Sequence, residues 1–173
     1  MKKVLLIGGG GTLGTYTAKR LLEKGVAVDV VCLEDKTSKN ENLRYYKTRA
    51  DLDVLKEFLA DKHYDGIVNY LHYSEVSEYP PVHKLLAEKC DHLIVLSSYR
   101  VYADETPVLE TSPKLLDVSK DEQFVATEKY AISKAKLEKF LNTEDKDGRW
   151  TVVRPVISFS KLRKMALLRN VPP

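Results

Sequence analysis

A tyrosine and a lysine have the spacing that acid/base chemistry on a substrate oxygen requires. Of the ten tyrosines in the chain, only Tyr130 has a lysine four residues further on, at Lys134, and this spacing returns to the same face of a helix. A phenol has an ordinary pKa of ~10, and a neighbouring ammonium favours its ionised form. The pair therefore predicts a general acid or base for a hydroxyl or carbonyl, although a half-buried tyrosine beside a surface lysine would have the same spacing.

Two serines stand where a predicted strand ends, upstream of this tyrosine. The run HLIVLSS at residues 92–98 places Ser97 and Ser98 at its carboxyl end. A serine hydroxyl at that edge of a sheet can hydrogen-bond to a reacting oxygen and polarise it. A strand-terminating turn would explain either serine alone, so the prediction depends on their occurrence together with the tyrosine and the lysine.

A glycine-rich segment near the start of the chain predicts a site for a dinucleotide. Gly8, Gly11 and Gly14 follow the pattern G-x-x-G-x-x-G between an apolar run and an amphipathic one. In a strand–loop–helix unit, the first glycine permits a sharp turn, the second lets backbone amides approach a diphosphate, and the third allows close helix packing. The phosphate loop of an NTPase would need a lysine and a hydroxyl residue after the last glycine, where the chain has Thr15 and Tyr16.

The residues after the second predicted strand indicate which dinucleotide the chain binds. They are Glu34, Asp35 and Lys36. An acidic side chain there accepts hydrogen bonds from the adenosine ribose and favours NAD, whereas a nearby cation favours NADP. The acidic residues come slightly late for that position, and a plain surface loop explains them equally well. We expect NAD, with Glu34 beside its ribose, and NADP stays open.

Apolar runs and amphipathic segments alternate along the chain, and this alternation predicts the fold. Strands that alternate with helices are joined by right-handed crossovers and form a parallel sheet. We therefore predict an α/β Rossmann-like, doubly wound parallel sheet of about six strands with helices on both faces, and ligands at the carboxyl ends of its strands. The expected strands are Val4–Ile7, Val26–Leu33, Leu43–Tyr46, Tyr64–Leu71, His92–Ser98 and Trp150–Pro155. The first expected helix is Thr12–Lys24, with Leu13, Tyr16 or Thr17, Leu21 and Leu22 on one face. The other expected helices are one capped by Asp51, then Val82–Lys89, and finally Asp121–Leu141, which follows a long loop at 103–120.

Composition and charge narrow the class of protein. The chain has 173 residues and a formal net charge of +3, with lysines interspersed among acidic residues, which indicates a solvated surface and no nucleic-acid footprint. No apolar stretch approaches the ~20 residues of a membrane helix, so we expect a cytoplasmic protein without a membrane partner. Cys32 and Cys90 are expected to be reduced core residues, and the spacing of the four histidines fits no metal site.

Taken together, these motifs resemble the extended branch of the short-chain dehydrogenase/reductases, the nucleotide-sugar epimerase/dehydratase group. The resemblance is carried by the three glycines, SSYRVY at 97–102, Tyr130 with Lys134, and VVRP at 152–155. It implies a catalytic set of Ser98, Tyr130 and Lys134 with bound NAD or NADP and a nucleotide sugar as substrate, and a homodimer is a possible assembly. The expected cofactor-binding residues are Gly8, Gly11, Thr12, Leu13, Gly14, Glu34, Asp51, Leu52, Ser97, Tyr130, Lys134 and Pro155.

The chain departs from the family pattern after the fourth strand, at residue 103 and at its carboxyl-terminal end. The small residues that the family has after its fourth strand are replaced by NYLHY at 69–73. The bulky side chains of Tyr70 and Tyr73 are expected to shape the substrate pocket, whereas a loop histidine with satisfied hydrogen bonds explains His72 better. Ala103 replaces the glycine that usually follows VY. We expect residues 1–158 to form the dinucleotide-binding domain with the catalytic residues, and the basic tail 159–173 to begin a missing substrate-binding region.

Two classes of function stay open on the residues alone. The first is an NAD(P)-dependent enzyme that acts on a hydroxyl or carbonyl, for which epimerase, dehydratase and reductase chemistries would use the same residues. The second is a regulatory or redox-sensing module that binds the dinucleotide without catalysis, and the intact serine–tyrosine–lysine set argues against it. A nucleic-acid role for the basic tail would predict steeply salt-dependent binding to polyanions.

Overall fold

Six parallel strands form the central sheet in a computed structural model that describes residues 1–103, 107–127, 129–146 and 148–156. The strands are β1 (Lys3–Ile7), β2 (Ala27–Cys32), β3 (Leu43–Lys47), β4 (Gly66–Asn69), β5 (Leu93–Leu96) and β6 (Trp150–Val153). Their order in the sheet is β3-β2-β1-β4-β5-β6. Because the order reverses between β1 and β4, the connections after these strands leave in opposite directions and open a crevice at the carboxyl edge. The predicted doubly wound α/β fold is confirmed.

Helices cover both faces of this sheet. They are α1 (Thr12–Glu23), α2 (Leu52–Leu59), α3 (Tyr79–Glu88), α4 (Leu115–Val118), α5 (Glu122–Thr127) and α6 (Lys129–Glu144). On one face, Ala18 of α1 packs in a core cluster with Leu6 of β1. On the other face, α2, α3 and α6 contribute the buried side chains Leu59, Leu86 and Leu141 to a second cluster. Burial of apolar surface on both sides stabilises a parallel sheet whose central strands are mostly apolar.

The buried face of α1 differs from the expected one. Leu13 and Tyr16 are 36% and 44% exposed, whereas Gly14 and Ala18 are buried. Small residues at these two positions let the helix approach the strands closely, and large side chains there would hold it further away. Of the residues expected to share one face, Leu13 and Tyr16 are therefore exposed, whereas Thr17, the alternative to Tyr16, is half-buried and the two later leucines pack against the core.

Several boundaries also differ from the expected ones. The helix expected at residues 121–141 corresponds to α5 and α6, between which residue 128 lies outside the described residues, and the expected loop at 103–120 contains α4. Asp51 is the N-cap residue of α2, as expected, but its side chain makes no capping hydrogen bond. Its carboxylate instead accepts a hydrogen bond from Arg49 Nε at 2.7 Å, because the arginine precedes it in an exposed loop.

Three further observations on the described segments concern the cysteines, membrane-spanning helices and metal sites. Cys32 and Cys90 are free thiols in the buried core, as expected. Within the described ranges, no helix is long and apolar enough to cross a membrane. In the same part of the chain, no group of three or more His, Cys, Asp or Glu side chains is arranged to hold a metal ion.

Candidate active site

The glycines between β1 and α1 stand where side chains would collide, except at one position. Gly8 has a φ of +74°, and a Cβ there would lie 2.9 Å from Leu71 Cδ2. A Cβ on Gly14 would lie 2.1 Å from the carbonyl oxygen of Gly9, so the absence of a side chain sets how closely α1 approaches the loop. Around the Cβ position of Gly11, the described part of the chain has no atom within 4 Å. The loop is therefore tightly folded and leaves an open gap beside Gly11.

This gap opens onto the amino terminus of α1. Gly11 is the N-cap residue, with extended backbone angles, and it has no side chain to bond to the amides of the first turn. The first amides of a helix lack acceptors within the helix and carry the positive end of its dipole. The terminus is therefore suited to an anionic group such as a diphosphate. Thr12 and Leu13 of the first turn line the cavity in front of it.

Two cavities along the carboxyl edge of the sheet share Gly8. The strand-2 cavity has a volume of about 630 Å³, and its lining includes Gly8, Cys32, Glu34, Asp51, Leu52 and His72. The serine–tyrosine cavity has a volume of about 610 Å³, and its lining includes Gly8, Gly11, Ser98, Arg100, Tyr130 and Pro155. Because they adjoin at the turn after β1, the two cavities offer an extended crevice for an elongated ligand.

Glu34 lies directly beside the glycine loop in the strand-2 cavity. Its carboxylate is so near Gly10 that a Cβ on this glycine would lie 2.0 Å from Oε2. Lys36 reaches the same glycine, because its Nζ donates a hydrogen bond to the Gly10 carbonyl oxygen. The segment after β2 thus places one acidic and one basic group against the loop, where the ribose of an adenosine would lie in this fold.

Ser98 and Tyr130 come from different elements and line the same cavity. Ser98 follows β5, is 5% exposed, and its Oγ accepts a hydrogen bond from the Arg100 amide at 3.3 Å. Tyr130 lies on α6 and is 38% exposed. Its ring centroid lies 5.1 Å from that of His72 and 5.7 Å from the guanidinium carbon of Arg100. A phenol presented to a cavity beside a serine hydroxyl is suited to proton transfer with a substrate oxygen.

Lys134 lies one turn further along α6, beneath these two residues in the interior. It is 2% exposed, and its Nζ donates hydrogen bonds to the carbonyl oxygens of Leu71 at 2.9 Å and Leu96 at 2.6 Å. Burial lowers the pKa of Lys134 to about 8. Burial, together with the charge of Lys134, also lowers the pKa of His72. An ammonium has three donors, and these carbonyl oxygens accept two of them. Lys134 itself is not among the residues that line the two cavities.

The pH dependence of stability should show the effect of this buried ammonium. Lys134 loses its proton near pH 8 in the folded chain, whereas its ordinary pKa is 10.5. Between pH 8 and pH 10.5 the unfolded chain binds more protons than the folded chain. The free energy of unfolding therefore rises with pH across this range, by at most roughly 3 kcal/mol. Denaturant unfolding at several pH values in this range should show that the free energy of unfolding rises more steeply with pH in the wild type than in Lys134→Met. Parallel pH profiles would contradict the buried position of the ammonium.

Ser97 is turned away from both cavities. It is fully buried, and its Oγ donates a hydrogen bond to Glu138 Oε1 at 2.5 Å. Glu138 also accepts hydrogen bonds from Arg154 Nε at 2.8 Å and Nη2 at 2.9 Å. Burial alone would raise the pKa of Glu138, but the hydrogen bonds from Arg154 and Ser97 outweigh it and lower the pKa. The structure therefore brings Ser98 to the crevice but not Ser97, whose hydroxyl belongs to a buried polar cluster.

The bulky residues after β4 form walls of the crevice and do not fill it. Tyr70 lines the serine–tyrosine cavity, and its hydroxyl donates to Thr17 Oγ1 at 2.8 Å. Tyr73 lines the strand-2 cavity, and its hydroxyl accepts a hydrogen bond from Asn69 Nδ2 at 2.8 Å. His72 also lines the strand-2 cavity, with its ring against the tyrosine of the neighbouring cavity. Each tyrosine hydroxyl is thus held by a protein partner beside the crevice.

Arg100 and Glu138 are two polar residues in or beside the crevice that are not among the predicted site residues. Arg100 lines the serine–tyrosine cavity, and its only signal in the sequence is its place two residues after Ser98. Glu138 is 4% exposed, although an acidic residue among lysines on a helix ordinarily indicates a solvated face. Its signal is the spacing from Lys134, since four residues return to the same face of α6.

Comparison with known proteins gives both a family and structural relatives. The profile of the NAD dependent epimerase/dehydratase family matches residues 4–171. A search of curated proteins found no match. Among solved structures, UDP-N-acetylglucosamine 4-epimerase from Bacillus cereus matches with a TM-score of 0.60 and 19% identity, over 89% of this chain and 53% of that chain. The Bordetella bronchiseptica enzyme WbmH, solved in complex with NAD+, matches with a TM-score of 0.62 and 20% identity, over 89% of this chain and 55% of that one.

A third structure is TunA, described as an NAD dependent NDP-hexosamine 5,6-dehydratase. It matches with a TM-score of 0.64 and 20% identity, over 89% of this chain and 54% of that chain. The chain thus spans about half the length of these three proteins, and at such identities their likeness supports the fold. The family profile covers nearly the whole chain, and NAD is the cofactor in the family's description, in agreement with the expected cofactor. On this evidence the chain belongs to the NAD dependent epimerase/dehydratase family.

Proposed function

We propose that the chain binds NAD along the crevice formed by the strand-2 cavity and the serine–tyrosine cavity. The observation that carries the proposal is the lining of the second cavity, to which Gly11, Ser98 and Tyr130 contribute from three separate segments. The diphosphate lies in the gap beside Gly11, where the described atoms leave the Cβ position free to 4 Å. The amino terminus of α1 faces this gap and favours negative charge.

The adenosine half of the dinucleotide occupies the strand-2 cavity in this proposal. Glu34 offers its carboxylate to the ribose hydroxyls and repels the additional phosphate of NADP. Asp51 and Leu52 line the same cavity and face the adenine. Binding of NAD should therefore be tighter than binding of NADP, in keeping with the cofactor of the family.

The nicotinamide half occupies the serine–tyrosine cavity, with Pro155 in its wall. When bound, the nicotinamide ring supplies a hydride acceptor and donor. Ser98 orients the reacting oxygen of the substrate through its Oγ. Tyr130 takes or returns the proton of that oxygen at its hydroxyl. Lys134 holds the nicotinamide ribose through its remaining N–H and places positive charge beside the phenol.

The substrate class that we propose is a nucleotide sugar, with reaction at a hydroxyl or carbonyl of the sugar. Support comes from the family and from the solved relatives, which are described as a UDP-N-acetylglucosamine 4-epimerase and an NDP-hexosamine dehydratase. This chain covers only 53% and 54% of those two proteins.

Calorimetric titration with NAD, NADP, UDP-glucose and UDP-N-acetylglucosamine tests this function. We expect heat from NAD, less heat from NADP, and conversion of one of the sugars, followed by proton NMR, when NAD is present. NAD binding without sugar binding or conversion would favour the regulatory module without catalysis. A chain that binds neither NAD nor NADP would contradict the proposal.

A further inference from the structure

Glu138 is the centre of a buried polar cluster beside the proposed site. It lies two helical turns after Tyr130 on α6, so the two side chains share a face of the helix. Its Oε1 accepts hydrogen bonds from Ser97 Oγ at 2.5 Å and Arg154 Nε at 2.8 Å. Its Oε2 accepts from Arg154 Nη2 at 2.9 Å and Lys114 Nζ at 3.4 Å. One carboxylate on α6 is therefore bonded to three other segments of the chain.

Two partners of Glu138 directly precede residues of the cavity. Ser97 precedes Ser98, and Arg154 precedes Pro155, and both of these following residues line the serine–tyrosine cavity. The two segments are also joined through their backbones, because the Ser97 amide donates to the carbonyl oxygen of the last residue of β6 at 2.8 Å. The carboxylate thus ties the ends of β5 and β6 to the helix that carries the tyrosine.

The outer members of the cluster are solvated, whereas its centre is not. Arg154 Nη1 lies 2.7 Å from Glu110 Oε2, and the Tyr102 hydroxyl donates to the same oxygen at 2.7 Å. The side chain of Glu110 is 79% exposed, against 5% for Glu138. With Lys114, the cluster holds two carboxylates and two cations, so its charges balance. Glu138 alone combines burial with contacts at both strand ends.

We propose that Glu138 is a positioning residue, which sets where Ser98 and Pro155 stand relative to Tyr130. The inference rests on the proposed function, because it assigns these three residues to the nicotinamide end of the crevice. A two-point contact between a carboxylate and an arginine fixes both distance and orientation. Such control matters because a displacement of ~1 Å at a reacting centre can lower a rate about 100-fold.

NADH is the probe for this role, because the fluorescence of its ring reports the surroundings of the nicotinamide without a substrate. Glu138→Asp keeps the charge and the ion pair but shortens the side chain by one methylene. Affinity for NADH should stay within about tenfold of wild type, because the adenosine half binds elsewhere, while most of the fluorescence change on binding is lost. Glu144→Gln, at the exposed end of the same helix, should match the wild type in its affinity for NADH and in the fluorescence change on binding. Wild-type fluorescence in Glu138→Asp would overturn the inference.

The double variant Glu138→Met/Arg154→Met separates positioning from stability. Replacing a buried ion pair with apolar side chains of similar size often leaves stability unchanged, and the other two charged members are exposed enough to be hydrated. We expect an unfolding midpoint somewhat below that of the wild type, because the fully buried Ser97 hydroxyl loses its acceptor, and the same loss of the NADH fluorescence change. Recovery of the fluorescence change together with the stability would show a structural role alone.

Failure of this inference differs from failure of the proposed function. A wild-type chain that does not bind NADH overturns both. A wild-type chain that binds NADH with a fluorescence change, which Glu138→Asp and the double variant reproduce in full, leaves the proposed function standing and overturns the positioning role.

Discussion

A Gly14→Ala variant is expected to lose roughly 3 kcal/mol of stability or more, together with its affinity for NAD. The added Cβ would stand 2.1 Å from the carbonyl oxygen of Gly9, so α1 must move away or the loop must refold. The better helix propensity of alanine returns only about 1 kcal/mol, so the collision dominates. Denaturant unfolding and calorimetric titration with NAD measure the two losses.

Gly11→Ala is the matched control for this variant. The described residues leave its Cβ position free to 4 Å, and a φ of −78° is open to alanine, so stability should stay within about 1 kcal/mol of the wild type. The new methyl group would nevertheless occupy the gap proposed for the diphosphate, and NAD affinity should fall at least about tenfold. Wild-type affinity in Gly11→Ala would place the diphosphate elsewhere. Wild-type stability in Gly14→Ala would contradict the close packing of α1.

Replacement of Tyr130 by phenylalanine should lower turnover of the nucleotide sugar by ~10²- to 10⁴-fold, the range of general acid/base catalysis. The phenylalanine keeps the ring beside His72 and removes only the hydroxyl that moves the proton. Affinity for NAD should therefore stay close to that of the wild type. Steady-state kinetics with the sugar that binds in the calorimetric panel, and titration with NAD, measure the two quantities.

Tyr16→Phe serves as the control for the loss of a tyrosine hydroxyl. Tyr16 is 44% exposed on α1, outside the lining of the two cavities of the crevice. The Tyr16→Phe variant should have the turnover and the affinity for NAD of the wild type. Undiminished turnover in Tyr130→Phe would exclude the proposed acid/base role, whatever the control shows.

The parts of the fold that could be predicted from the sequence are those with local signals. Most strands are short apolar runs, and the segment from Gly8 to Gly14 lies between the first run and an amphipathic segment, so strand, loop and helix follow from adjacent residues. The carboxyl ends of parallel strands meet at one edge, which is why Ser98 could be expected near the glycines. The helical spacing of Tyr130 and Lys134 is equally local.

The remaining features depend on contacts between distant parts of the chain. Ser97 and Glu138 are 41 positions apart, and neither neighbourhood indicates that a buried carboxylate would take the hydroxyl away from the crevice. The inward face of α1 is set by the close approach at Gly14, which outweighs the hydrophobicity of Leu13. Lys134 is buried against the carbonyl oxygens of Leu71 and Leu96, and the spacing that singled it out is equally typical of a solvated lysine.

A crystal structure of the chain grown with NAD tests the proposed site most directly. We predict the diphosphate beside Gly11 at the amino terminus of α1, the adenosine ribose against Glu34, and the nicotinamide ring facing Tyr130. A dinucleotide bound away from the glycine loop, or a nicotinamide ring turned from the tyrosine, would contradict the proposed site and the chemistry assigned to it.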